Sequence, residues 1–395
     1  MAKPPKALVE PDILVWARTS ASMSIGEAAA AAKVKPEALG AWEAGTAAPS
    51  VPQLKKLANV YKRPLSVMFL TERPKEFMPL KDFRLLTDIG PAIVGPKLAF
   101  EIRAAQERRQ IALELYDDLG EEAPSLGISA SVGDSPEEVA AAIRGRLGVS
   151  VEAQMQWRDT GRAFRAWRDA VENAGVLVFA LSGAHHKIPL TEVRGFAIAQ
   201  RPLPVAVVNS RDRGGGRIFT LLHELAHIVI GESALDNSFE VGDRLPPTER
   251  AIERFCNKVA GAVLLPRDVI MSDGIVRRKS AEADDWTDEE ISELAARYSV
   301  SRPAILVRLQ QIGKASGVLV SRMLLRMERQ YKEDQEDQIS GMVPWRLQVV
   351  THLGRSYSRL VLQGYYERKL SLNSAAAYLG TQSKLVPDIA QAAFT

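Results

Sequence analysis

The segment IFTLLHELAHIVI, residues 218–230, constrains this chain more than any other feature of its sequence. Its apolar residues recur at helical spacing, and a helix places side chains four residues apart on one face. His223 and His227 have this spacing, so both imidazoles can bind one zinc ion. Glu224 follows the first histidine and is the candidate general base for hydrolysis. The segment therefore predicts a metal-dependent peptidase site on one helix.

A catalytic zinc site takes three protein ligands and water, so a further ligand is expected downstream. The helical segment at residues 246–266 offers Glu253 and, one turn earlier, Glu249. Geometry alone only modestly favours Glu253. Cys256 lies one turn beyond Glu253, but a lone cysteine in an apolar frame is more typical of core packing. Two histidines and a carboxylate accept Mn²⁺ as well as Zn²⁺, and we expect one Zn²⁺ per chain.

Cysteine content, charge and hydropathy narrow the class of protein. Cys256 is the only cysteine among 395 residues, which excludes an intrachain disulfide and a multi-thiolate metal site. The formal net charge of +3 is far from that of a polybasic nucleic-acid binder. The sequence has no apolar run of about 18 residues, and its first residues lack the apolar core of a secretory signal. We therefore expect a cytoplasmic protein with no membrane partner.

Local signals predict an α+β fold that is mostly helical. Three β-type runs, at residues 176–181, 195–199 and 204–209, precede the histidine segment and predict a small antiparallel sheet. Helical periodicity dominates on both sides of these runs. The chain is thus expected to combine an all-α N-terminal domain, a zincin-like peptidase domain with the small sheet, and a helical C-terminal region.

Proline positions and changes of periodicity predict four regions. Short helices occupy residues 12–70, and prolines then begin a helical linker region at residues 71–160. The peptidase domain is expected at residues 161–285, and only helices are expected in residues 286–395.

The N-terminal region contains a helix, a tight turn and a second helix within SIGEAAAAAKVKPEALGAWEAG, residues 24–45. With the following PSVPQLKKLA, it resembles the repressor-type (Cro/C1, XRE) helix-turn-helix domain. Its second helix has few long side chains that could contact base edges. The candidate phosphate contacts are Lys33, Lys35, Lys55 and Lys56. The alternative is a helix-turn-helix kept for dimerisation or repressor capture.

Four segments of the central region carry a family resemblance: RGFAIA, PVAVVN, RIFTLLHELAHIVIG and ERFCNKVAGAVLLP. Together, within residues 167–266, they resemble the ImmA/IrrE family of bacterial metallopeptidases. That family's E-x-x-A-N-x-F-A helix opens with the third zinc ligand, so the resemblance assigns this role to Glu253. The chain departs from the pattern at Cys256, where alanine is usual, and at Val259, where phenylalanine is usual. The resemblance implies a cytoplasmic enzyme that cleaves helix-turn-helix repressors.

Other histidines and helical segments carry weaker signals. Residues 298–313 and 365–380 also look like helix-turn-helix fragments, which are most often packing units. His185 and His186 lie in a turn between strands, where we expect them to be solvated; a role in polarising a substrate carbonyl is the alternative. His352 is isolated in a helical pattern and is expected to be structural.

These observations predict a cytoplasmic regulator in which a helix-turn-helix domain is joined to a zinc endopeptidase that cleaves a repressor-type protein. DNA and a second copy of the chain are further candidate partners. An extended substrate strand would add to the edge of the small sheet above the zinc helix. One alternative is a DNA-binding transcriptional regulator whose peptidase-like domain senses a ligand or partner without proteolysis. Another is a protein that cleaves or restrains its own helix-turn-helix portion.

Overall fold

The chain forms two compact units. The structure is a computed structural model that describes residues 5–74, 81–82, 94–181, 188–212, 214–236, 246–336 and 344–394. One unit contains the described residues up to 74 together with 94–106, and the other contains residues 81–82 and the described residues from 107 onwards. The four predicted regions are finer than this division, and their boundaries stay predictions.

The first unit contains four short helices and a 3-10 turn. These are α1 (Pro11–Thr19), α2 (Ile25–Ala32), α3 (Pro36–Glu43), α4 (Val51–Val60) and the 3-10 turn Leu65–Phe69. Helix α2 begins with a capping box, in which the Glu27 carboxylate accepts a hydrogen bond from the Ser24 N–H at 2.8 Å. It ends at Lys33, whose backbone is left-handed with φ 55°. Apolar residues of these elements form a core of their own.

The second unit is built from helices around one sheet, and the long helix α5 (Pro96–Leu119) belongs to both units. Its strands are β1 (Lys81–Asp82), β2 (Leu177–Leu181), β3 (Gly195–Ile198), β4 (Val205–Asn209) and β5 (Ala234–Asp236). Its further helices are α6 (Pro136–Leu147), α7 (Val151–Met155), α8 (Thr160–Asn173), α9 (Gly214–Ile230), α10 (Pro247–Leu264), α11 (Arg267–Ser272), α12 (Gly274–Arg278), α13 (Asp288–Arg297), α14 (Arg302–Gln311), α15 (Gly317–Glu336), α16 (Trp345–Leu353), α17 (Arg355–Tyr366), α18 (Leu372–Tyr378) and α19 (Val386–Phe394), with a 3-10 turn at Ser383–Leu385. Within the described ranges, none of the helices has both the length and the apolar character needed to cross a bilayer.

The predicted α+β, mostly helical fold is confirmed, but the sheet is mixed rather than antiparallel. Its strand order is β1-β5-β3-β4-β2. Strand β3 is antiparallel to both of its neighbours, whereas β2 pairs with β4, and β1 with β5, in parallel. The difference arises because β4 lies between β2 and β3, although β3 follows β2 in the chain. Residue patterns identify extended runs, but they do not determine which runs become neighbours.

Helix α9 is held in place by apolar packing on several sides. It lies against β3 and β4 and packs on α8 and α10. Its apolar residues belong to the largest core cluster, together with Trp167 of α8 and Val259 of α10. Because this packing fixes the helix, it also fixes the direction of the polar side chains that α9 carries.

Side chains close the outer edge of β2. The Arg168 guanidinium donates to the Val178 carbonyl at 2.5 Å, and His352 Nδ1 donates to the Ala180 carbonyl at 2.5 Å. Arg108 in turn donates to His352 Nε2 at 3.0 Å. Bonded carbonyls cannot accept hydrogen bonds from an additional strand, so this edge is protected from strand addition.

The region after residue 344 docks on α8 through a buried ion pair. Arg168 and Glu172 lie 2.8 Å apart with 8% and 2% of their side chains exposed. Arg168 also donates to the Thr351 carbonyl at 2.6 Å, and the Ser356 N–H donates to Glu172 at 2.8 Å. Each charge of the pair therefore bonds backbone of the C-terminal region, which fixes α16 and α17 to the sheet side of the unit.

We expect Gly354→Ala to destabilise this docking strongly. Gly354 has φ 81° and ψ 157°, a conformation that is essentially restricted to glycine. A Cβ there would lie 2.6 Å from Glu172 Oε1 and 2.7 Å from the Val178 carbonyl oxygen. The free energy of unfolding should fall by about 3 kcal/mol or more, measured by guanidinium unfolding followed by tryptophan fluorescence.

Gly380→Ala is the matched control for this experiment. Gly380 also has a positive φ, 63°, but a Cβ there would have nothing within 4 Å. Its cost should therefore be limited to backbone strain of about 1 kcal/mol. Equal losses of unfolding free energy in the two variants would contradict the prediction, because they would show that crowding around a Cβ at position 354 adds nothing to the backbone strain.

Candidate metal centre

Helix α9 directs the two histidines of the H-E-x-x-H motif to the same place. His223 is 1% exposed and His227 is 0% exposed, and their Nε2 atoms lie 3.1 Å apart. This proximity follows from the four-residue spacing, which stacks the two side chains on successive turns of one helix face.

Helix α10 supplies a carboxylate to the same point. Glu253 Oε2 lies 3.2 Å from His223 Nε2, and Glu253 Oε1 lies 3.1 Å from His227 Nε2. In the part of the chain that the structure describes, this is the one group of three or more His, Cys, Asp or Glu side chains close enough to hold a metal ion. The rival Glu249 is not part of the group. Cys256 is fully buried among apolar core residues.

The three side chains fit a metal ion. Two ligand atoms that are each 2.0–2.1 Å from a tetrahedral zinc ion lie about 3.3 Å apart. The separations of 3.1 and 3.2 Å between the imidazole and carboxylate atoms are close to this value. The donor set of two imidazoles and one carboxylate also leaves a coordination position open, as a catalytic site requires.

The electrostatics of the group suit metal binding. Burial opposes ionisation of Glu253, but contact with His223 and His227 outweighs burial and lowers the pKa of this carboxyl. Burial lowers the pKa of His227 below its usual value, which favours the neutral imidazole. An ionised carboxylate and a neutral imidazole are the protonation states that metal ligands need.

Glu224 lies beneath the central strand of the sheet, where Gly195 makes room for it. Glu224 is 0% exposed, and a Cβ on Gly195 would lie 2.6 Å from Glu224 Oε1. The same Cβ would lie 2.5 Å from Thr220 Cγ2 and 2.9 Å from the Val207 carbonyl oxygen. The absence of a side chain at Gly195 thus lets β3 approach the candidate base. Sequence reasoning missed Gly195, although a glycine within a β-type run is a signal of close approach.

The remaining predicted site residues fall in different places. His185 and His186 lie outside the described residues. Lys33 and Lys35 flank the turn between α2 and α3, and Lys55 and Lys56 lie on α4; all four are exposed. Exposure makes these lysines accessible to phosphates, and their contact with DNA stays a prediction.

Comparison with known proteins connects this geometry to a family. Residues 171–310 match the peptidase-family model described as the IrrE N-terminal-like domain, and residues 14–68 match a model described as helix-turn-helix. The chain is also similar to the radiation response metalloproteases IrrE of Deinococcus deserti and Deinococcus radiodurans. Identity is 35% and 34% over 112 residues, which cover 27% of this chain and 36% and 31% of those proteins.

The matches agree with the resemblance that the sequence motifs predicted. The chain spans about a third of the length of the two IrrE relatives, and the matched central segment contains α9 and α10 with the three converging side chains. The chain therefore carries a domain of the IrrE N-terminal-like peptidase family at residues 171–310 and a helix-turn-helix domain at residues 14–68.

Proposed function

We propose that this protein is a zinc-dependent endopeptidase that cleaves a repressor-type helix-turn-helix protein. His223, His227 and Glu253 would hold one Zn²⁺, and Glu224 would be the catalytic base. The main support for the proposal is that His223, His227 and Glu253 converge in the interior, with Glu224 buried next to His223 in the sequence. Charged and polar side chains of an ordinary amphipathic helix face solvent instead. The IrrE relatives, which are named metalloproteases, support the same activity.

The chemistry requires an acid-base group beside an electrophilic centre. Bound zinc supplies Lewis acidity, which polarises a peptide carbonyl and makes water easier to deprotonate. Glu224 accepts the proton of the attacking water and then donates it to the leaving amine. Burial of Glu224 keeps bulk water away from the carboxylate, and contact with β3 at Gly195 limits its orientations. His223, His227 and Glu253 orient the reacting centre relative to this carboxylate.

The sheet edges limit where an extended substrate segment can bind. Addition of a strand to β2 is disfavoured because Arg168 and His352 already bond its outer carbonyls. At the opposite side, the described pairing of β5 with β1 involves Lys81 and Asp82. We therefore propose that the substrate segment adds on the side of the sheet opposite to β2.

Location and assembly are proposed on the same basis. A helix-turn-helix substrate would act on DNA, so we propose that the reaction occurs in the bacterial cytoplasm. The single cysteine suits this reducing compartment. DNA binding by the N-terminal domain and a homodimer are further proposals that the helix-turn-helix match supports.

The metal content of purified variants tests the ligand set. The wild-type protein should contain one equivalent of zinc after dialysis, and His223→Ala and Glu253→Ala should each lose at least about 100-fold in metal affinity. Glu249→Ala is the matched control, because Glu249 is also a glutamate of α10 but lies outside the group. Elemental analysis measures the zinc and distinguishes it from manganese. A wild-type protein that binds neither metal when supplied, or zinc loss in Glu249→Ala, would contradict the assignment.

Glu224→Gln tests proteolysis itself. This variant should keep its zinc, because Glu224 is not a ligand, but should cleave about 10²- to 10⁴-fold more slowly. Both zinc-loaded proteins are added to a lysate of the host bacterium, and new protein N-termini are identified by mass spectrometry. Termini that appear only with the wild-type protein, and within helix-turn-helix proteins, are expected.

Two other outcomes separate the alternatives. Identical termini with the wild-type protein and Glu224→Gln would favour a regulator that senses a ligand without proteolysis. Cleavage of the purified wild-type protein in the absence of lysate would instead favour action on its own helix-turn-helix portion.

Gly195→Ala tests whether β3 orients the base. We expect zinc content to be retained and kcat for a cleaved peptide to fall more than KM changes, because the new methyl group displaces the Glu224 carboxylate. Gly145→Ala on α6, where a Cβ has nothing within 4 Å, should leave both constants unchanged.

A double variant isolates the contact with Glu224 from general crowding. Thr220→Ser removes the Cγ2 atom that the Cβ would also contact. If Gly195→Ala with Thr220→Ser regains the wild-type kcat, the clash with Thr220 caused the loss and Gly195 does not position Glu224.

A further inference from the structure

The C-terminal region repeats the turn of the N-terminal helix-turn-helix. The segments are SIGEAAAAAKV, residues 24–34, and SLNSAAAYLGT, residues 371–381. Ser24 and Ser371 both cap their helix, each accepting a backbone N–H three residues later. Both turns then contain a left-handed residue at the same position, Lys33 with φ 55° and Gly380 with φ 63°.

The hydrogen bonds of the two turns also correspond. The Val34 N–H donates to the Ala29 carbonyl at 2.9 Å, and the Thr381 N–H donates to the Ala376 carbonyl at 2.8 Å. Five buried residues of the N-terminal helix-turn-helix are matched in order by five buried residues of the C-terminal one: Ala28, Ala29, Ala32, Leu39 and Trp42 by Ala375, Ala376, Leu379, Val386 and Ile389. Helix α18, the turn and α19 therefore form a second helix-turn-helix of the same geometry.

Helices α13 and α14 contain this turn as well, but the centre of the corresponding face is buried at Leu306. Ser299 is left-handed with φ 54°, and the Val300 N–H donates to the Ala295 carbonyl at 3.0 Å. However, Leu306 of α14 is fully buried, because α14 packs against α10 and α15. This unit therefore contributes to the core and cannot present α14 to a large partner.

In the C-terminal helix-turn-helix the second helix, α19, has an exposed outer face. Residues Ser383–Leu385 and α19 bury one side through Val386, Ile389 and Ala393. The opposite side is a stripe at helical spacing, which we call the α19 stripe and which consists of Gln382, Lys384, Pro387, Asp388, Gln391 and Phe394. At the same positions α3 and its flanks have Lys35, Glu37, Gly40, Ala41, Ala44 and Ala47.

The α19 stripe has the side chains that recognise base edges. A glutamine amide can bond adenine in two places, a lysine bonds guanine, and an aspartate accepts from cytosine. In a helix-turn-helix, the residues at the N-terminal part of the second helix are those that enter the major groove. Gln382 and Lys384 lie at the 3-10 turn that leads into α19, Asp388 lies in the first turn of α19, and Gln391 follows one turn later. The corresponding positions of α3 begin with Lys35 and Glu37, but Ala41 and Ala44 stand where α19 has Asp388 and Gln391.

Charge concentrates in the same region. Residues 344–394 contain two acidic residues, Glu367 and Asp388, whereas the whole chain has an excess of only 3 basic residues. The six basic residues of this region are Arg346, Arg355, Arg359, Arg368, Lys369 and Lys384. Arg368 and Lys369 are exposed immediately before α18. A local positive excess provides the attraction to phosphates that any DNA-binding surface requires.

The C-terminal helix-turn-helix is also packed against other helices of the second compact unit. Helix α19 packs on α16 and α17, and these helices are fixed to α8 by the Arg168–Glu172 pair. A recognition helix fixed in this way loses little conformational freedom on binding.

We propose that the C-terminal helix-turn-helix, residues 371–394, binds double-stranded DNA with the α19 stripe in the major groove. Its outer helix face carries base-recognising side chains and its flank is basic. The corresponding face is buried at its centre on α14, and on α3 it has alanines where α19 has Asp388 and Gln391. The proposal does not rest on peptidase activity, because none of the residues of the α19 stripe belongs to the candidate metal centre.

Selection from a pool of random-sequence duplex DNA with the full-length protein tests this proposal. A selected duplex is then titrated by fluorescence anisotropy at several salt concentrations. Lys384→Ala and Gln391→Ala should each weaken binding to this duplex about 5- to 150-fold and relax the base preference at one position. Lys369→Ala should weaken binding to selected and scrambled duplexes equally and reduce the salt slope by about one.

The chain provides a matched control for the glutamine. Gln310 is exposed on α14 at the position that corresponds to Gln391, so Gln310→Ala should leave DNA binding unchanged. Melting curves of Lys384→Ala and Gln391→Ala should match that of the wild type, which separates lost contacts from lost structure. Selection of no DNA sequence would overturn the proposal. A selected sequence would also contradict the proposal if its binding were unchanged by Lys384→Ala and Gln391→Ala but lost in Lys35→Ala. Binding of proteins alone, and not of DNA, by the α19 stripe would contradict it as well.

Discussion

The burial of the Glu253 carboxylate between two imidazoles is the constraint on which the candidate site depends. A buried charge is strongly unfavourable unless an opposite charge or a metal compensates for it. Glu253 is 3% exposed, and its two oxygens face His223 and His227. Movement of α10 away from α9 would leave this carboxylate buried and uncompensated. The apolar contact between the two helices and the polar contact at their centre therefore stabilise the same arrangement, and a cation would strengthen both.

The sheet serves this helix pair in two different ways. Its centre must approach α9 closely, and Gly195 permits that approach directly over Glu224. Its β2 edge must remain closed, and Arg168 and His352 bond the carbonyls that would otherwise accept another strand. Closing this edge also recruits the C-terminal region, because Arg168 bonds the backbone of Thr351 at the same time. Protection of the sheet and attachment of the last helices are thus parts of one hydrogen-bond network.

The sequence predicted the parts of the site that depend on local geometry. The spacing of His223 and His227 on one helix is sufficient to bring them together, and the family resemblance distinguished Glu253 from Glu249. The neighbours of β2, the approach of Gly195 to Glu224 and the contact of His352 with Ala180 join residues far apart in the chain. No local pattern encodes such pairs, because their formation depends on how all the elements pack. His352 was expected to be structural, but its place at the sheet edge required the three-dimensional arrangement.

The three helix-turn-helix segments also show which features a local sequence determines and which depend on the packing around it. Their turns agree in backbone conformation and hydrogen bonding, since each contains a left-handed residue followed by an N–H that donates back to the first helix. Their surroundings differ, because α14 packs against α10 and α15 and buries Leu306 at the centre of its outer face, whereas the corresponding positions of α3 and α19 are not buried. A turn that recurs in one chain therefore does not imply a recurring function. Exposure decides which unit can meet a partner, and the side chains on the exposed face decide which kind of partner it can bind.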